Sequence, residues 1–177
     1  TMFDELNYTA KVGPERGPTS TREFRDPSRL LSDWAGHYRR TSRKSRRVEL
    51  HVSSREPEVW TILVNESLGD VPWAVSKWLA ADALAQYTTQ IPDMTIYVTD
   101  ESFDNALKRL TMHPDITEVE RGGRIKLWSA PEYVLELAKP TFSFRVVSPI
   151  RVYGDLLRAG DRGSEAAEHL REVAIGF

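Results

Sequence analysis

The sequence predicts an α/β domain with a modest sheet, and an α+β arrangement stays open at this level. Three observations lead there. Apolar residues recur at helical spacing over residues 26 to 38. Strand patterns then interleave with helical ones from residue 48 to residue 173, the order of a sheet flanked by helices. The length of 177 residues and the 40% hydrophobic content suit one globular domain, or one domain plus a fragment of another.

Met2, Phe3 and Leu6 make half a helical face, so the chain reads as a piece whose N-terminal region lies upstream. Gly13, Pro14, Gly17 and Pro18 are turn residues, and Lys11-Val12 can pair with Arg22-Glu23-Phe24 as a short hairpin arm. Asp26 caps a helix that Pro27 opens and that carries Leu30, Leu31, Trp34, Ala35 and Tyr38. Val48, Leu50 and Val52 alternate as a strand. Pro57 opens a helix with Trp60, Leu63, Val64 and Leu68 inward. Pro72 opens another, from Ala74 to Ala85, whose alanines allow a close neighbour. Residues 94 to 98 form a buried strand, and Asp100 caps the helix that ends at His113-Pro114. Gly122-Gly123 joins residues 116 to 120 and 124 to 128 as a hairpin. Residues 132 to 138 fit strand or helix, and residues 141 to 147 alternate as a strand. Ser148-Pro149 begins a helix that Gly160 ends, and Ser164 begins the last one.

The absence of cysteine excludes disulfides, cysteine zinc sites and thiol nucleophiles. No apolar run approaches the roughly 18 residues of a membrane span, and no secretory leader opens the chain, so a cytoplasmic location is expected. The net charge is −2, but the average hides a segregation. Residues 39 to 47 carry Arg39, Arg40, Arg43, Lys44, Arg46 and Arg47 and no acid. Without those six, 18 basic residues face 26 acidic ones, a balance of −8. Lysines and arginines neutralise phosphates, and the interleaved serine and threonine add donors, so the run is a candidate phosphate contact. A solvated linker would look the same.

Other chemistry is thinly represented. The segment from Gly13 to Gly17 lacks the Gly-Lys-Ser/Thr ending of a phosphate loop. The four histidines have no metal spacing, and no serine sits in a nucleophile elbow. Asp100-Glu101 at a strand end is the best acidic pair for magnesium, but a helix cap explains Asp100 better. Trp34, Trp60 and Trp78 fall on apolar faces and read as core; Trp73 and Trp128 are undetermined. Arg162 could bind an anion, and a salt bridge to Asp155 or Glu165 is the commoner arrangement. No catalytic residue, metal or cofactor is expected.

The most distinctive text is C-terminal: Ser148-Pro149, then Tyr153-Gly154-Asp155-Leu156-Leu157, Gly160-Asp161-Arg162-Gly163 and Glu165-Ala166-Ala167. It resembles the end of the AbiEi family, antitoxins of type IV toxin–antitoxin and phage-defence systems. Asp26-Pro27, Leu30-Leu31, Trp34-Ala35 and the alanine-rich stretch from Trp73 to Tyr87 resemble earlier parts of the same family. The resemblance implies a bacterial transcriptional regulator whose N-terminal winged helix binds operator DNA. It also implies a C-terminal nucleotidyltransferase-like small sheet flanked by helices, without catalytic residues. That domain would oppose a nucleotidyltransferase toxin without a stable complex. Residues 1–25 would then end a winged helix, 26–47 connect, and 48–177 form the antitoxin-like domain. Arg16, Arg22 and Arg25 would be wing contacts to phosphate, continued by residues 39 to 47. The rival readings are an active nucleotidyltransferase using Asp100 and Glu101, and a module that homodimerises through exposed apolar faces.

Overall fold

The computed structural model describes residues 2–13, 21–41, 45–87, 90–141 and 143–177. The chain divides into two compact units, residues 1–42 with Phe177, and residues 43–176.

In the first unit a short helix α1 (Met2–Glu5) precedes an antiparallel hairpin of β1 (Thr9–Val12) and β2 (Thr21–Phe24). Lys11 faces Arg22, and Val12 faces Thr21, so the expected hairpin arm is present. Helix α2 (Pro27–Arg40) follows. Its first turn has the expected cap: the Asp26 carboxylate accepts the Arg29 amide at 2.8 Å, and Pro27 occupies a position that needs no amide. Trp34 and Tyr38 stack with centroids 5.0 Å apart, while the Tyr8 hydroxyl donates to Asp33 at 2.7 Å.

The second unit is built on a seven-stranded mixed sheet in the order β6-β3-β7-β5-β4-β9-β8. The strands are β3 (Arg47–His51), β4 (Ala74–Ser76), β5 (Met94–Thr99), β6 (Thr117–Val119), β7 (Ile125–Ala130), β8 (Lys139–Pro140) and β9 (Arg145–Val146). The helices are α3 (Pro57–Leu68), α4 (Lys77–Ala85), α5 (Phe103–Met112), α6 (Glu132–Glu136), α7 (Pro149–Leu156) and α8 (Asp161–Leu170), followed by a π-helical turn (Arg171–Ile175). The α/β class is therefore as expected, with helices flanking the sheet.

Strand alternation gives the sheet two unlike faces. The pairing register puts Val48, Leu50, Val75, Met94, Ile96, Val98, Ile125 and Leu127 on one face. Helix α5 lies against it, burying Phe103, Ala106 and Leu110. Helix α3 packs beside α5, where Arg109 donates to the Leu68 carbonyl at 2.8 Å and pairs with Asp70 at 2.7 Å. Each fully buried Leu, Ile or Phe here contributes about 1.5–3 kcal/mol. The other face carries Arg47, Glu49, Ala74, Ser76, Thr95, Tyr97, Lys126 and Trp128. Helix α7 covers its β4–β5 end, and α4 packs against both α7 and α8. The alanines of α4 allow that approach: Ala80, Ala81 and Ala85 are all buried.

Several local expectations are corrected. Residues 74–76 form a strand rather than the first turn of α4, because the sheet needs a fully buried partner between β5 and β9. Residues flanking Gly122-Gly123 do not pair with each other: β3 lies between β6 and β7, and the glycines carry the chain across it. A Cβ on Gly123 would stand 2.6 Å from the Leu50 amide nitrogen, so glycine is required by the close crossing. Asp100 is not the cap of α5. Ser102 holds that position, and its amide donates to the Thr99 hydroxyl at 3.1 Å. Helix α8 starts at Asp161 rather than Ser164, with Gly160 at φ +79 preceding it. Of residues 141–147 only Arg145 and Val146 are strand, and Phe142 lies outside the described residues; residues 132–138 open with α6.

Gly163 is the tightest point of the helical layer, since a Cβ there would sit 2.2 Å from the Leu156 carbonyl oxygen. Gly163→Ala is expected to cost about 3 kcal/mol in urea unfolding. Gly160→Ala, strained by φ but facing open space, should cost about 1–2 kcal/mol. Equal losses would contradict the close packing of α8 on the end of α7.

Candidate functional site

The basic run does not act as one block of free cations. In the first unit, Arg39 and Arg40 are exposed in the last turn of α2, where positive charge complements the helix dipole. No acidic partner reaches either among the described residues. Arg22 on β2 is paired with Asp4 at 3.1 Å, and Arg25 donates to the Asn7 side chain at 3.4 Å. In the second unit, Arg46 is committed. Its guanidinium grips Asp104 through both carboxylate oxygens, one contact measuring 2.9 Å, and lies 4.3 Å from the Phe103 ring centroid. That fork holds the Asp104 carboxyl below its ordinary range. Arg47 stacks on Trp128 at 4.2 Å and donates to the Ser45 hydroxyl at 3.1 Å. Arg16, Arg43 and Lys44 lie outside the described residues.

The family-like C-terminal residues build a different feature. Ser148 caps α7, accepting the Arg151 amide at 3.3 Å, and Pro149 opens the helix. Asp155, in the last turn of α7, is fully buried. It accepts the Ser76 hydroxyl at 2.6 Å and the Tyr97 hydroxyl at 3.0 Å, with Arg151 Nε at 3.5 Å. Arg151 also donates to the Tyr97 oxygen at 3.1 Å. Asp155, one of the two partners expected for Arg162 beside Glu165, is thus bridged by Arg151 instead, four residues earlier on the same helix face. Tyr153 donates to Glu168 on α8 at 3.0 Å, and burial together with that bond raises its pKa. Leu156 and Ala166 are core, while Glu165 is exposed. Arg162, also exposed, lines a cleft of about 630 Å³ with Arg55, Glu58, Asp82 and Arg124.

Lys77 escaped the sequence reading. This residue joins β4 to α4 with φ +55, a left-handed conformation that costs a side chain with a Cβ about 1–2 kcal/mol. It is 8% exposed, and burial pushes its ammonium pKa down. Its Nζ lies 4.4 Å from the Trp128 centroid. Lys126 pairs with Asp93 at 2.9 Å on the same face. A charge standing alone in the apolar stretch from residue 71 to residue 81 was the available signal. Asp100 and Glu101 are exposed in the turn after β5, and no three acidic or histidine groups converge as a metal site among the described residues.

Asp155→Ala would leave Arg151, Ser76 and Tyr97 facing a buried void, so a loss of about 3–5 kcal/mol in chemical denaturation is expected. A loss under about 1 kcal/mol, the worth of an exposed pair, would contradict its role in fixing α7.

With the geometry in place, likeness to known proteins bears on the class. A family model described as a transcriptional regulator, AbiEi antitoxin of a type IV toxin–antitoxin system, matches residues 24–176. No curated protein matches the sequence. Among solved structures, the crystal structure of the Megavirus polyadenylate synthase is similar over 71% of this chain, at 11% identity and a TM-score of 0.42. The match spans only 33% of that protein, and a likeness this distant says nothing of chemistry. The family match takes in helix α2 and the whole sheet unit, and on that match the chain belongs to the AbiEi family of transcriptional regulators and type IV antitoxins.

Proposed function

We propose that the natural protein is a DNA-binding transcriptional regulator and antitoxin that represses from its operator and opposes a nucleotidyltransferase toxin without a stable complex. The observation that carries this reading is the family match over residues 24–176. Residues 1–25 are then the end of a winged helix, 26–47 a connecting helix and linker, and 48–177 a non-catalytic, nucleotidyltransferase-like antitoxin domain. The protein acts in the cytoplasm; no helix among the described residues is long and apolar enough to cross a membrane.

Charge accounting ranks the phosphate contacts. Arg39 and Arg40 come first, exposed and without acidic partners among the described residues. Arg22 and Arg25 must exchange Asp4 and Asn7 for a phosphate. Arg47 retains free donors beyond its stack on Trp128. Arg46 ranks last, because Asp104 neutralises it. Arg16, Arg43 and Lys44 complete the set on sequence grounds alone.

Removing one bound phosphate from the interface lowers the slope of log affinity against log salt by about 0.9. Titrating DNA from its own promoter with the full-length protein, Arg39→Ala with Arg40→Ala should weaken binding and reduce the slope by about 2. Arg46→Ala should leave the slope unchanged. Replacing all six basic residues without altering the slope would remove the run from the interface. Calorimetry with ATP and magnesium should show no heat. Binding abolished by Asp100→Ala would establish the enzymatic reading instead.

A further inference from the structure

Two charges in the sheet unit stand where helix electrostatics disfavours them, and both line one cleft. Asp82 lies in the last turn of α4, the end that repels a carboxylate. Arg162 lies in the first turn of α8, the end that repels a cation. Asp82 is also half-buried, and burial is what acts on its carboxyl, raising its pKa. No cation pairs with it among the described residues. Stability alone would not place a carboxylate there.

The cleft has a volume of about 630 Å³, inside the roughly 300–1,000 Å³ that small ligands occupy. Arg124, half-buried just before β7, and the exposed Arg55 line it too. None of the three guanidiniums has a hydrogen-bonding or ionic partner among the described residues. Glu56 and Glu58 complete the charged lining, and the start of α3 favours both. Three cations thus share the cleft with three carboxylates, neutral in sum, and yet they do not pair.

That pattern selects the ligand. A phosphate dianion would meet three carboxylates, and a polyamine would meet three arginines. No aromatic ring lines the cleft among the described residues, so a nucleobase finds nothing to stack on. A small molecule carrying one charge of each sign suits both sets. Pro57, Ile91 and Pro92 give the wall an apolar part for its side chain.

We infer that the cleft binds a zwitterion of the amino-acid class, its carboxylate held by Arg124 and Arg162 and its ammonium by Asp82. The source is a free amino acid or a dipeptide. The site lies beyond the regulator reading, and none of its residues belongs to the basic run.

The test titrates the whole chain at constant pH and ionic strength, read by calorimetry and by the thermal midpoint. The probes are leucine, leucyl-leucine, isocaproate, which lacks the ammonium, and isoamylamine, which lacks the carboxylate. A saturable response to leucine or leucyl-leucine is expected, and the stronger of the two identifies the source. Each single-charge analogue should bind at least about tenfold more weakly, because it leaves one side of the cleft unpaired. Asp82→Asn should weaken zwitterion binding by about tenfold while leaving the protein at least as stable as the parent, since it removes a desolvated charge. A merely structural Asp82 would lose stability instead. Arg124→Gln should weaken binding by a similar factor, and it carries the test should the asparagine fail to fold. Asp82→Asn should also leave the salt slope on operator DNA unchanged, so this reading and the DNA reading fail separately. No response to leucine or leucyl-leucine, an equal response to a single-charge analogue, or unchanged binding in either folded variant would overturn the assignment.

Discussion

One buried carboxylate organises the sheet unit. Asp155 is sealed from solvent, a costly position for a charge unless several groups solvate it. Here Ser76 at the end of β4, Tyr97 in the middle of β5 and Arg151 on its own helix supply that solvation. Three elements distant in sequence are thereby tied at one point. The tie sets where α7 lies on the sheet. Helices α4 and α8 pack on α7, so their places follow from it. The apolar face needs no such device. There α5 meets the strands mainly through apolar burial, with the polar contacts of Asp104 and Arg109 at its rim.

Strand alternation places the polar residues on the same face as this tie. Beyond it, the Trp128 ring carries the Arg47 guanidinium at 4.2 Å and the Lys77 ammonium at 4.4 Å. The left-handed Lys77 stands at the border between the two regions, where β4 must turn sharply into α4.

Local signals in the sequence located most of this molecule. Asp26-Pro27 and Ser148-Pro149 marked helix starts, and both caps form because a short polar side chain beside proline leaves few alternatives. The alternation from Val48 to Val52 and the apolar block from Met94 to Val98 marked central strands. Pairing was less legible. Residues 74–76 are short and apolar, and their strand state comes from β5 and β9 on either side. Gly122-Gly123 looked like a turn because a turn and a close backbone crossing both require glycine. For the candidate sites, the charge pattern exposed the basic run but not its division between the exposed Arg39 and Arg40 on α2 and the Asp104-bound Arg46. That division depends on a partner 58 residues away. The Asp155 cluster and Lys77 depend on such long-range neighbours as well.

The assignment to the antitoxin class is tested most directly by growth rescue. The full-length protein would be co-expressed with the nucleotidyltransferase toxin proposed as its counterpart, and growth and co-purification would be followed together. Restored growth, without a complex that survives purification, is the expected result. Growth that stays arrested while the protein is folded and abundant would contradict the assignment.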